Sequence, residues 1–267
     1  MKHFFSKLFS IFPSGALKDF IRVIVYNCRW AKEFSIRKKN KIWIARYPGF
    51  SLKFSPDIVP YHVLLTNYIF LHHFPKEPID YFVDGGAYIG SLSLLVTKKF
   101  NNIKQVIALE PDPVNRSILE NNFKLNDLSG YKILPIGLWS KRDTLTFYSG
   151  NQLASSVYQN SDIENSIQIE VDSLNNLLKG VSGKRIFIKM NIEGAELEAL
   201  SACSEVIENN RVHLAIAADH TVNGQLTCEK VQELCRGMNL SVTTFTRDKI
   251  ITVYASNEYK YDSGITL

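Results

Sequence analysis

Apolar residues recur every three or four positions in the first thirty residues, then in alternating or continuous short runs. Phe4, Phe5, Leu8, Phe9 and Phe12 form a short stripe. Leu17, Phe20, Ile21, Ile24, Val25 and Cys28 form a cleaner one, at the spacing of an amphipathic helix. Lys41 to Ala45 and Phe50 to Phe54 alternate around Tyr47-Pro48-Gly49, which predicts a hairpin. Residues 57–74 read as a helix ending at His72 and His73, placed as cations at its C-terminus. From Ile79 onward strand and helix patterns alternate. Strands are predicted at 79–83, 104–110, 131–136, 185–190 and 212–218, and helices near 91–96, 112–126, 172–178, 193–203 and 227–237. Such a rhythm gives right-handed crossovers and a parallel sheet. Two further runs, 240–246 and 249–255, close it as a hairpin, which adds one antiparallel strand. Thr144 to Tyr148 and Ile167 to Val171 read as an extra antiparallel pair, and polar residues 150–165 between them as a substrate loop. The reading is an α/β fold in two parts: a helical and hairpin extension over 1–75, and a mostly parallel sheet domain over 76–267.

The chemistry concentrates where the first strand of that domain ends, at Val83-Asp84-Gly85-Gly86-Ala87-Tyr88-Ile89-Gly90. A dinucleotide fingerprint would need glycine at Ala87 or Tyr88. Asp84 would also repel a pyrophosphate, which favours bare N–H groups at a helix start. It would attract a cation. The order Asp84, Gly86, Gly90 matches the loop that class I methyltransferases use for S-adenosylmethionine, which carries a sulfonium and an ammonium. Glu110, at the end of the second strand and followed by Pro111, is placed to bind a ribose diol. Ligands of an open parallel sheet bind beyond the carboxyl ends of its strands. Asp84, Glu110, Gly137, Asn191 and Asp219-His220 all fall at such ends.

Three segments together resemble the FkbM family of S-adenosylmethionine-dependent methyltransferases: residues 83–90, Leu109-Glu110-Pro111-Asp112-Pro113, and Ile188-Lys189-Met190-Asn191-Ile192-Glu193-Gly194-Ala195-Glu196. The resemblance implies a Rossmann-like class I sheet and S-adenosylmethionine as cofactor. It implies a cofactor site of Asp84, Gly85, Gly86, Ala87, Gly90, Glu110, Pro111, Asp112, Gly137 and Leu138, with Trp139 either stacked on the adenine or in the core. It further implies O-methylation of a hydroxyl on a sugar, glycolipid or related small molecule. Asn191 stands where the family usually has Asp. An alcohol acceptor needs a base or a place for its proton. His220, titrating near neutral pH, ranks first, followed by Glu193 and Glu196. Asn191 would only position the acceptor, and no metal is invoked.

Charge changes the picture at the N-terminus. The 267 residues carry a net +5, yet residues 1–41 hold ten Lys and Arg against two acids, a net of +8, so the remainder sums to −3. A basic nucleic-acid groove across the catalytic part is therefore not indicated. The basic, aromatic arm of residues 1–30 has two open readings: packing on the domain or a second subunit, or peripheral contact with an anionic membrane. No apolar run reaches bilayer length. The four cysteines have no metal-like spacing, which suits reduced thiols in a cytoplasmic protein. Two rival functions remain: a non-catalytic S-adenosylmethionine-binding scaffold, favoured only by Asn191, and a methyltransferase for another acceptor class.

Overall fold

The computed structural model describes residues 33–57, 60, 64, 66–148, 166–222, 224–247 and 250–261, with a few helical positions between 21 and 28. The amphiphilic stripe of residues 4–12 and the loop of residues 150–165 lie outside the described residues.

Three short antiparallel strands come first: β1 (Ser35–Lys39), β2 (Ile42–Tyr47) and β3 (Phe50–Phe54). The predicted hairpin is β2–β3. Its two-residue turn has Pro48 followed by Gly49 at φ 86°, the positive angle that glycine takes without strain. β1 is unpredicted because only Ile36 of its five residues is buried, so its alternation is hidden among charges. It joins β2 through Asn40 and Lys41, both at positive φ, the geometry that suits a strand's right-handed twist. Side-chain amides close both edges of this sheet. Asn126 Oδ1 accepts the Lys53 N–H (2.9 Å) while its Nδ2 donates to the Lys53 carbonyl (2.6 Å). Asn27 does the same for Ile36, at 2.7 Å each way. An unpaired strand edge is thereby blunted.

The N-terminal helical stripe is rotated from the prediction: Val23 is buried, while Ile24 is 46% exposed. In the stretch predicted as a helix over 57–74, the described part ends in a 3₁₀ turn at Tyr68–Phe70. His72 and His73 do not cap it. His72 stacks on Phe245 at 4.0 Å, and His73 meets Tyr254 and Tyr261 edge-on at 4.8 and 5.1 Å. Burial, and then the neighbouring His72, hold the His73 pKa below its ordinary value. A packed aromatic role replaces the cationic one.

The main sheet has seven strands. In chain order the elements are β4 (Ile79–Gly85), α1 (Ser91–Phe100), β5 (Ile103–Leu109), α2 (Pro113–Leu125) and β6 (Tyr131–Leu134), then β10 (Arg185–Met190), β11 (Arg211–Ala217), α6 (Cys228–Gly237), β14 (Ser241–Arg247) and β15 (Ile250–Ser256). Between them come β7 (Ile136–Leu138), β8 (Asp143–Tyr148), β9 (Ser166–Asp172), α3 (Leu174–Leu177), α4 (Glu196–Ser201), α5 (Ser204–Asn209) and a small hairpin, β12 (Thr221–Val222) with β13 (Gln225–Leu226). The spatial order is β14-β15-β11-β10-β4-β5-β6, and β15 runs against both its neighbours. The mostly parallel sheet with one antiparallel strand is as the sequence predicts.

Each face of the sheet carries its own core. Phe82 and Phe187 join Leu94, Phe123 and the inner face of the N-terminal sheet, including Trp43, Leu52 and Phe54. Val83, Ile186 and Ile188 join Leu200, Val206 and Val231 on the other side. Successive strand side chains point to opposite faces, so both faces are apolar, as covered parallel strands require.

Two local predictions are corrected. The third strand, expected over 131–136, stops at Leu134, and Ile136 to Leu138 form a separate strand β7, paired with β9 in a small separate sheet. Trp139 belongs to that sheet's cluster with Phe147, Ile169 and Val171. The helix predicted over 193–203 begins only at Glu196 and breaks at Ala202-Cys203 before α5.

Candidate active site

The turn after β4 is built by close packing. A Cβ on Gly86, at φ 69°, would lie 2.1 Å from the Asn191 carbonyl oxygen. One on Gly90, at φ 74°, would lie 2.5 Å from Phe123 Cε1. These glycines are required because the chain leaving β10 and helix α2 press against the loop. Ala87 donates its N–H to the Leu109 carbonyl (2.9 Å) and ties the loop to β5. Tyr88 is held in the left-handed region at φ 53°. Strain of this kind persists where surrounding structure over-determines it.

Asp84 is fully buried and already partnered. Ser93 Oγ donates to its Oδ2 (2.7 Å) and Lys189 Nζ to its Oδ1 (3.0 Å). Asp84 and Lys189 are register partners on adjacent strands. The other two ammonium protons of Lys189 go to the carbonyls of Gly85 (3.0 Å) and Gly86 (2.8 Å), so every donor is satisfied. The picture of Asp84 as a free anion awaiting a cation is therefore revised. Its charge is matched inside the protein, and the pair pulls the glycine turn inward. Lys189 was missed as a site residue. The signal is in the sequence: a lysine within the core run Ile186-Phe-Ile-Lys-Met190 must find a buried anion.

Glu110 lies just past β5 and is buried. Its Oε2 accepts the Tyr88 N–H (2.7 Å) and its Oε1 the Asp112 N–H (3.1 Å). Burial raises its pKa to about 7, against the opposing effect of those two N–H groups. Asp112 caps α2, accepting from Val114 and Asn115, and Pro111 lies between the two acids. Gly137 and Leu138 sit behind: an added Cβ on Gly85 would meet Leu138 Cδ1 at 2.7 Å, so Leu138 packs under the turn.

On the other side of β4, the chain leaving β10 makes a sharp turn. Asn191 N–H donates to the Gly85 carbonyl (3.2 Å). Glu193 is left-handed at φ 55°, and Gly194 follows at φ 99°. Glu196, fully buried, accepts N–H groups of Ile192 (2.8 Å) and Gly194 (2.9 Å) and so fixes the turn. His220 projects from beyond β11 between two of these acids. Its Nδ1 lies 3.2 Å from Glu196 Oε1 and its Nε2 3.6 Å from Glu193 Oε2. The Nδ1 contact is an ion pair without good hydrogen-bond alignment. Burial lowers the imidazole's pKa, but Glu196, then Glu193 and Asp219, outweigh it and push it up to about 9. Burial also raises Glu193 above the ordinary carboxylate range, with His220 opposing. Among the described residues no group of three or more His, Cys, Asp or Glu side chains has the arrangement of a metal site.

The sheet order, with β15 inserted antiparallel beside β11 and the chemistry gathered at the strand ends, defines a class I methyltransferase fold. The methyltransferase FkbM domain matches residues 84–241. The chain belongs to that family. It is 31% identical over 179 residues to methyltransferase sdnD of Sordaria araneosa, covering 54% of this chain and 68% of that protein. Among solved structures it is similar to methyltransferase FkbM from Methylobacillus flagellatus KT, at a TM-score of 0.51 and 21% identity, over 70% of this chain. The chain spans 47% of the length of that structure.

Proposed function

We propose that this protein is an S-adenosylmethionine-dependent O-methyltransferase acting on a hydroxyl of a sugar, glycolipid or related small molecule. The observation that carries it is the arrangement at one end of the sheet. Glu110 stands on one side of β4, the His220–Glu193–Glu196 cluster on the other, with the glycine turn between.

The residues present fit the cofactor at Glu110. Each of its oxygens takes one backbone N–H and Asn115 adds a side-chain donor, which leaves acceptor capacity for a ribose hydroxyl. A carboxylate that burial disfavours gains most from new donors. Gly86, Ala87 and Gly90 shape the turn, Asp84 and Lys189 hold it, and Leu138 supports it from behind. S-adenosylmethionine supplies a methyl group on a sulfonium, which departs as a neutral thioether.

The acceptor's proton needs a destination. A histidine with a pKa of about 9 is already an imidazolium at neutral pH and has no lone pair to offer. The ranking of His220 as the base is therefore exchanged for Glu193. Its side chain retains 34% exposure, and its raised pKa suits a proton acceptor. His220 keeps Glu193 charged and aimed, and Glu196 holds both through the turn. Asn191, at the mouth of the same turn, orients the acceptor by hydrogen bonding and needs no charge to do so.

Calorimetry with S-adenosylmethionine, followed by transfer of a labelled methyl group to a glycan and glycolipid extract, tests the reading. Wild type should bind and transfer, and Glu110→Ala should abolish binding while remaining folded. Binding without transfer to any hydroxyl would favour the scaffold reading. Absence of binding would overturn both.

A further inference from the structure

The outer face of the N-terminal sheet is a concentrated cationic surface. The strand register sorts its side chains by row. Lys38, Trp43 and Phe54 share one inner row, and Ile36, Ala45 and Leu52 another. The outer rows are Ser35, Arg46 and Ser51, then Arg37, Ile44 and Lys53, then Lys39 and Ile42. Arg37, Lys39, Arg46 and Lys53 are all exposed, around the half-buried Ile42 and Ile44. From Phe34 to Pro56 the chain carries six Lys or Arg and no acid. Among the described residues none of the four outer cations has an ion-pair partner.

Like charges on one face of a sheet repel and cost stability. Here nothing described on the molecule offsets that cost, and the sheet lies outside the residues matched by the family, 84–241. Both edges of the sheet are closed by Asn27 and Asn126, which leaves the outer face, among the described residues, as the part of this sheet open to a partner. Among the described residues the face carries no aromatic ring, because Trp43, Tyr47, Phe50 and Phe54 all point inward. A single-stranded nucleic acid would need rings for its bases to stack on. A flat array of cations around two aliphatic side chains suits an anionic, hydrocarbon-backed surface instead.

We propose that the outer face of β1–β3, through Arg37, Lys39, Arg46 and Lys53, docks the protein on a membrane surface rich in anionic lipid. Contact is peripheral and reversible: no described helix is long and apolar enough to cross a bilayer. Each cation near such a surface strengthens binding about fivefold, and the attraction falls off within a Debye length.

The test is co-sedimentation of the full chain with vesicles of phosphatidylcholine alone or with about one third phosphatidylserine. Wild type should pellet only with the anionic vesicles, and should be released by about 0.5 M salt, where screening is nearly complete. The Arg37→Gln, Lys39→Gln, Arg46→Gln, Lys53→Gln quadruple variant should bind about 600-fold more weakly. Its melting temperature should be unchanged or higher, since repulsion is removed, and its S-adenosylmethionine binding unchanged. The four single variants, each losing a share that multiplies, serve if the quadruple variant does not fold. Equal binding by wild type and quadruple variant would place the attraction in residues 1–32 and overturn the proposal. So would absence of vesicle binding, or tighter binding to a single-stranded RNA homopolymer at the same salt.

Discussion

Strands β10 and β11 carry a charged cluster at each end, and the two clusters use nearly the same residue types to opposite effect. At the start of the strands, Glu258 accepts from Arg185 Nε (2.8 Å) and pairs with His213 Nε2 (2.8 Å). Ser256 Oγ accepts the N–H groups of Glu258 (3.0 Å) and Tyr259 (3.1 Å), so its own proton is free to go to His213 Nδ1 (3.1 Å). That network fixes a neutral imidazole. Burial lowers the His213 pKa, and Arg185 draws the Glu258 pKa down to about 2. At the other end, Glu196 and Glu193 face His220 at 3.2 and 3.6 Å and hold its pKa up to about 9 against the effect of burial. At the first end the guanidinium takes up the carboxylate and the imidazole stays neutral; at the second the carboxylates act on the imidazole itself. A shift of that kind, set by named charges at the strand ends, is a mark of a functional site.

Variants can break this contrast. The largest effect should come from Lys189→Met, which leaves Asp84 buried with the Ser93 hydroxyl but no counter-charge and removes a donor from the Gly85 and Gly86 carbonyls. Stability should fall by about 3–5 kcal/mol in denaturant melts, and cofactor binding with it, while the double variant with Asp84→Asn recovers part of the stability. Glu193→Gln should cut the turnover rate on the order of 10²-fold or more with little change in melting temperature. A full-rate Glu193→Gln enzyme would remove Glu193 from the proton path. Glu258→Ala should do the reverse. It should lose about 2 kcal/mol, at the low end for a broken pair because Glu258 is partly exposed, with methyl transfer per folded molecule retained.

The smallest effect is one of pH. The folded pKa of His220 lies above its unfolded value, so its contribution to stability is complete below about pH 6.5 and is lost as pH rises through about 9. The difference between wild type and His220→Gln, about 2 kcal/mol after discounting for solvent, should therefore vanish on the alkaline side. His213 is lowered, so it favours the folded state above its unfolded pKa and ceases to as pH falls. His213→Gln should flatten the acid limb of the stability profile and leave the alkaline limb alone.

Local patterns carried much of this into the sequence. The apolar runs of β4, β5, β10 and β11, the closing hairpin, and Glu110 and His220 at strand ends are all visible there. What could not be read was set by partners distant in the chain. Asp84 and Lys189 are 105 residues apart and meet only through the parallel register. The charge state of His220 depends on Glu193 and Glu196 curling back from a different strand. β7 is strand only because β9 lies beside it, and β1 because Asn27 and β2 hold it.

The carbonyl of Asn191 resting against Gly86 means that the turn after β4 and the turn after β10 meet backbone to backbone. Bulk added at position 86 must therefore displace the second turn as well. Libraries aimed at this region should keep Gly86 and diversify the β12–β13 hairpin, whose Leu226 stands 46% exposed.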